Sequence, residues 1–124
     1  MRKERLIAAA AAGAILLGAA VAMAQDPVKL APDRNKVILE NESVRVYEVT
    51  SPPGKTLEMH SHPSHIVYFI GPGKAKFTDK DGKVTERETK AGQAIWSEPV
   101  THKVENVGTT PLRAVVIELK NEGK

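Results

Sequence analysis

The chain has 124 residues, with 18 basic and 15 acidic side chains, four histidines and no cysteine. That length suits one domain around a single core. The lack of cysteine excludes disulfides and a lipid-modified N-terminal cysteine, while remaining compatible with an oxidising compartment.

At the N-terminus Arg2, Lys3 and Arg5 precede an apolar stretch from Leu6 to Ala24 that ends in Ala22-Met23-Ala24. This charged, apolar, small-x-small order predicts a secretory signal peptide over residues 1–24, cleaved after Ala24. The stretch of 19 residues is long enough to span a bilayer, which leaves an uncleaved N-terminal anchor as the alternative. Ten of the residues are alanine, however, a weak hydrophobe, so cleavage is expected and no stable membrane span remains after it. The expected location is periplasmic or secreted. Without Arg2, Lys3, Arg5 and Glu4 the tally of 18 and 15 becomes 15 basic against 14 acidic residues. The mature chain is near neutral, with no basic run or aromatic-interleaved patch, which argues against nucleic acid as a partner.

Residues 25–36 read as an irregular leader and 37–124 as one domain. Nine short β-rich runs follow, divided by turn residues. Val37–Glu40 and Ser43–Thr50 come first, stopped by Pro52-Pro53-Gly54. Thr56–His62 ends at Pro63-Ser64, and His65–Ile70 ends at Gly71-Pro72-Gly73. Lys74–Thr78 and Lys83–Glu88 flank Asp79-Lys80-Asp81-Gly82, a strong hairpin signal because Asp-Gly tolerates positive φ. Ala94–Ser97, His102–Asn106 and Leu112–Leu119 complete the set. No 3.6-residue apolar period is sustained in this region, so the fold class is all-β, a barrel or sandwich.

All four histidines fall in two short segments, His60, His62 and His65 in the first and His102 in the second. Residues two apart on a strand share a face, so His60 and His62 can aim at one point, and His65 and His102 can close a coordination sphere there. Imidazole nitrogen suits zinc, copper, nickel and iron. Strict alternation along Thr56–His62 also turns Glu58 inward, as a candidate general base or partner to a metal ligand. It places Val67 and Phe69 on the face of His65, and Val104 and Asn106 on that of His102. Tyr47 and Trp96 are candidate pocket aromatics.

These residues carry a resemblance to the cupin superfamily, whose motifs run G-x5-H-x-H-x3,4-E-x6-G and G-x5-P-x-G-x2-H-x3-N. Gly54, His60 and His62 match the start of the first; Gly92, Pro99, His102 and Asn106 follow the order of the second. The resemblance extends from about Val44 to Leu119. Where the family has a metal-binding glutamate this chain has no acid, and aligning the apolar run Ile66–Ile70 puts His65 in that slot. The second motif lacks its middle glycine, and Pro99 sits two residues nearer the histidine than the pattern asks. The resemblance implies a cupin jelly-roll β-barrel holding a divalent metal, with iron, manganese, zinc, nickel and copper all open. It implies a small-molecule ligand or substrate, and a possible homodimer formed through the edge strand Val37–Glu40. Two functions follow: a metal-dependent enzyme, oxygenase- or isomerase-like, acting on a small polar molecule, or a non-enzymatic cupin of the cell envelope that binds metal or a small ligand.

Overall fold

The computed structural model describes residues 25–120, so the expected signal peptide lies outside the described residues. Nine strands form two antiparallel sheets among them. They are β1 (Asn35–Glu40), β2 (Val44–Ser51), β3 (Thr56–His62), β4 (His65–Phe69), β5 (Gly73–Asp79), β6 (Val84–Thr89), β7 (Ala94–Ser97), β8 (Val100–Asn106) and β9 (Leu112–Leu119). One sheet runs β1-β2-β9-β4-β7 and the other β3-β8-β5-β6. Each expected strand is present, with ends that agree or shift by one or two residues.

The leader departs from the irregular reading. A single helical turn, α1 (Pro27–Leu30), starts at Asp26, whose carboxylate accepts the Val28 N–H at 2.9 Å. An acid at the cap followed by proline at the first helical position is the ordinary chemistry of a helix start. Four residues are too few to show a helical period, which is why alternation alone reads the segment as loop.

The Asp79–Lys83 turn closes the β5–β6 hairpin as expected. The Asp79 carboxylate accepts the N–H groups of Asp81 and Lys83, both at 2.9 Å, and Gly82 takes a positive φ of 88°.

Two irregularities in pairing set the direction of side chains. On β3, Leu57 faces Val104 of β8, yet the next registered pair is His60 with His102. Glu58 and Met59 of β3 thus oppose Lys103 alone on β8, which is a β-bulge. Strand parity flips across it, so Leu57 and His60 both face inward. On β1, a second bulge lies between Val37, opposite Tyr47, and Leu39, opposite Val46.

The interior is only partly filled. Tyr47, Phe69, Ala75, Ala114 and Val116 are buried between the sheets, but so are His60, His65, Asn106 and Glu118. A cavity of about 320 Å³ remains, lined from both sheets.

Asn106, the last residue of the second motif, is 1% exposed and ties three segments together. Its Nδ2 donates to the carbonyls of Ser51 and Thr110 at 2.8 and 2.9 Å, and its Oδ1 accepts the Gly108 N–H at 2.9 Å. Asn106→Ala should therefore destabilise the protein by roughly 2–4 kcal/mol, because it leaves buried backbone groups without partners. Chemical denaturation measures this; a loss under about 1 kcal/mol would show that water replaces the amide without penalty.

Candidate metal centre

Strand register brings the histidines together. His60 and His102 are directly opposed on β3 and β8, and His62 follows two residues along on the same face. Ring centroids lie 4.8 Å apart for His60 with His62, 4.8 Å for His60 with His102, and 5.4 Å for His62 with His102. One nitrogen from each of these three rings lies within 4.8 Å of the others. Donors around one ion with bonds of about 2.0–2.1 Å lie no more than roughly 4.2 Å apart. Ring rotations of about half an ångström at the nitrogen would bring the three to one ion.

His65 is buried and its ring centroid is 4.4 Å from that of His62, yet it stands outside this close group of three. Its Nδ1 donates to the Pro63 carbonyl at 2.8 Å. His60 Nδ1 likewise meets the Glu58 carbonyl at 2.7 Å. A ring whose Nδ1 carries the proton has Nε2 free as an acceptor, so these contacts fix the tautomer that a ligand needs.

Glu58 does not face the histidines. It is exposed and contributes no side chain to the cavity wall, because the bulge after Leu57 reverses the alternation that would have turned it inward. Its carbonyl, rather than its carboxylate, serves the site by orienting His60. The inward carboxylate is Glu118 on β9. It is 4% exposed, and its Oε2 accepts from His62 Nδ1 at 2.8 Å and from the Tyr47 hydroxyl at 2.8 Å. Its Oε1 accepts from Arg45 Nε and Nη2 at 3.2 and 2.8 Å. Arg45 in turn forms a two-pronged pair with Asp26 at 2.9 and 3.0 Å. Alternation does carry a sign of Glu118: Leu112, Ala114 and Val116 form the inner row of β9, and an acid continues it.

Val67 and Phe69 share the cavity wall with His65, and Val104 shares it with His102, as alternation expects. Asn106 is buried in backbone contacts away from the wall. Tyr47 lines the cavity and is 1% exposed. Trp96 is among the lining residues, but it pairs with Ile66 in the outward row, is half exposed, and its indole N–H donates to Glu98 at 2.6 Å.

Burial lowers the basicity of the cluster. It pushes His60 down to about 4, helped by the neighbouring His62, and His102 down to about 3, helped by His60. His65 is also lowered, by burial and then by His62. Burial opposes the charge on Glu118, but hydrogen bonds from His62 and Tyr47 and the Arg45 charge outweigh it, so its pKa falls below the ordinary value. His60, His65 and His102 are thus neutral imidazoles at physiological pH, near an ionised carboxylate, the kind of donor and counter-charge that a divalent cation requires.

Fold and site together define a jelly-roll β-barrel with three histidines placed where they could hold a metal ion. The chain belongs to the cupin family: residues 47–118, more than half of its length, match the cupin domain. It is similar to a cupin domain from Bordetella pertussis, with 28% identity and a TM-score of 0.65 over 69% of this chain and 91% of that one. A conserved Klebsiella pneumoniae protein with a double-stranded β-helix domain is 29% identical, with a TM-score of 0.57 over 72% and 78% of the two chains. A cupin-like protein from Thermotoga maritima is 27% identical, with a TM-score of 0.55 over 70% and 66%. No curated protein matches the chain.

The lowered histidines predict the pH response of the metal-free protein. Unfolded histidines bind protons near pH 6.5, while His60 and His102 in the fold resist protonation until about 4 and 3. Below 6.5 the unfolded state therefore binds more protons, and stability falls with pH. Stability should be full above about pH 7 and decline steadily towards pH 4. Thermal melts in chelator at several pH values check this; a flat midpoint between about pH 7 and pH 5 would contradict the burial argument.

Proposed function

We propose that this cupin binds one divalent metal ion through His60, His62 and His102 and presents the ion's open face to a small molecule in the cavity. The observation that carries the reading is the set of three buried or half-buried imidazoles whose donor atoms lie within 4.8 Å of one another on the cavity wall. A metal on three neutral imidazoles keeps its full double charge and an open position, the pattern of a catalytic rather than a structural site. The protein's own part is to hold the tautomers. The Glu58 carbonyl orients His60, and the Glu118 carboxylate orients His62.

His65 takes the proton-handling place that alternation assigns to Glu58. Its Nδ1–H is committed to Pro63, which leaves Nε2 as a neutral proton acceptor beside the three ligands. This supports a metal-dependent enzyme, oxygenase- or isomerase-like, acting on a small polar molecule. A non-enzymatic metal or ligand carrier is the second reading, favoured by one observation: no carboxylate lines the cavity.

The Arg2-to-Ala24 pattern supports export to the periplasm or beyond, with Gln25 as the first mature residue. Among the described residues no helix is long and apolar enough to cross a membrane. Protein recovered from the envelope fraction should have an intact mass that starts at Gln25 and should carry metal. His60→Ala, His62→Ala and His102→Ala should each lose most of it, measured by elemental analysis, whereas His65→Ala should retain it. If His65→Ala lost as much metal as the others, the shell would have four histidines. If all four variants kept their metal, this site would not be the metal centre.

A homodimer is also part of the reading. Cross-strand partners share a face, and Leu39, Val46, Ile117, Ile66 and Trp96 stand in one registered row on the outer face of the five-stranded sheet. Ile38 and Leu39 on the edge strand are more than half exposed. An apolar face running to an unpaired strand edge is suited to cover by a second copy. Light scattering should give twice the monomer mass at micromolar concentration, and Ile117→Lys should shift it to monomer. A wild-type protein that is monomeric there would refute the dimer.

A further inference from the structure

The cavity has two chemically distinct ends. The histidines occupy one. Towards the other, Arg34 and Arg87 line the wall, and no aspartate or glutamate is among the lining residues. Arg34 donates to the Thr56 carbonyl at the start of β3, while Arg87 pairs with Ala75, which pairs with Asn106 on β8. His102 lies four residues from Asn106 on that strand, roughly 13 Å at the usual rise. Between the ends the wall is apolar, from Val49, Leu57, Phe69, Phe77, Val104 and Ala114.

Neither arginine makes an ion pair among the described residues, whereas Arg45 does so with both Asp26 and Glu118. The Arg34 side chain donates only to the Thr56 carbonyl, at 3.4 Å. Unpaired positive charge beside a low-dielectric opening raises the local concentration of anions.

A second observation comes from Asn35, which is 1% exposed and lines the same cavity. Its Nδ2 donates to the Pro27 and Ala31 carbonyls, both at 3.1 Å, which fixes the orientation of the amide. Its Oδ1 is buried with no hydrogen-bond partner. A buried acceptor without a donor is costly, and here it stands in the wall of a cavity large enough for a small organic molecule.

We infer that the cavity binds an organic carboxylate with an apolar body and a hydroxyl or N–H donor, its carboxylate attracted by Arg34 and Arg87 and its donor held by Asn35. This names the ligand class of the proposed metal-centred cavity and rests on that reading for the ligand's approach to the histidines. Guanidinium groups match a carboxylate in charge and in paired hydrogen-bond geometry. The apolar middle suits an aliphatic or aromatic body.

The test is calorimetric titration of the full chain with phenylalkanoates of two to four side-chain carbons, with and without a ring hydroxyl, alongside the matching alcohols and amines. The tightest binder should be a hydroxylated carboxylate, favoured about tenfold or more over its alcohol, with the amine weakest. Arg34→Ala/Arg87→Ala removes two side chains without ion pairs. It should cost the carboxylate about tenfold and leave the alcohol unchanged. Metal content is measured on the same samples, and the titration is repeated on chelated His102→Ala. Carboxylate preference that persists there but vanishes in the arginine variant supports the ligand inference even if the metal reading fails. Carboxylate binding no tighter than the alcohol overturns it. So does a preference for carboxylate that follows the metal and ignores the arginines.

Discussion

One buried carboxylate organises this protein. Glu118 comes from the last strand, yet it binds Arg45 and Tyr47 of β2 and His62 of β3, and through Arg45 it reaches Asp26 in the leader. A lone carboxylate at this depth would be driven to neutrality. Here two positive-end partners and a phenol satisfy it, and its charge is kept. Burial also raises the Tyr47 pKa, with the Glu118 charge adding to the effect, so the phenol stays protonated as a donor. Truncating any one partner would leave the rest of the network buried and unbalanced, the costly case for internal ion pairs.

The network gives the leader a structural task. Gln25 accepts the Ser61 N–H at 3.0 Å beside the histidines, and Asp26 both caps α1 and clamps Arg45. Residues immediately following the expected cleavage point thus support the wall behind His62. The charges of Asp26, Arg45 and Glu118 sum to one net negative behind that ring, a fixed counter-charge for a cation held by neutral ligands.

The strands were legible because apolar alternation broken by proline, glycine and Asp-Gly turns is a local signal. The histidine cluster was legible for the same reason, since His60 and His62 share a strand face whatever the rest does. What escaped was set by distant partners. The β3 bulge depends on how β3 meets β8, more than forty residues later, so strict parity turns Glu58 inward when it faces solvent. Glu118 was visible only as an acid ending an apolar row; its partners Arg45 and His62 lie 73 and 56 residues away. The helix at Pro27 was announced by its cap alone, without a period to support it.

The distribution of charge along the cavity follows from these placements. Burial keeps His60, His65 and His102 neutral, so these rings do not repel a cation, and the carboxylate behind His62 favours one. The arginines at the opposite end have no such neighbour, and their charge faces the opening. Each end is therefore set for a different sign, a cation among the histidines and an anion at the mouth, with an apolar wall separating them. A barrel divided in this way would hold a metal and an organic anion without either taking the other's place. An acid among the mouth arginines would neutralise the anion's attraction, and an acid replacing a histidine would reduce the metal's charge. Neither is present among the residues that line the cavity.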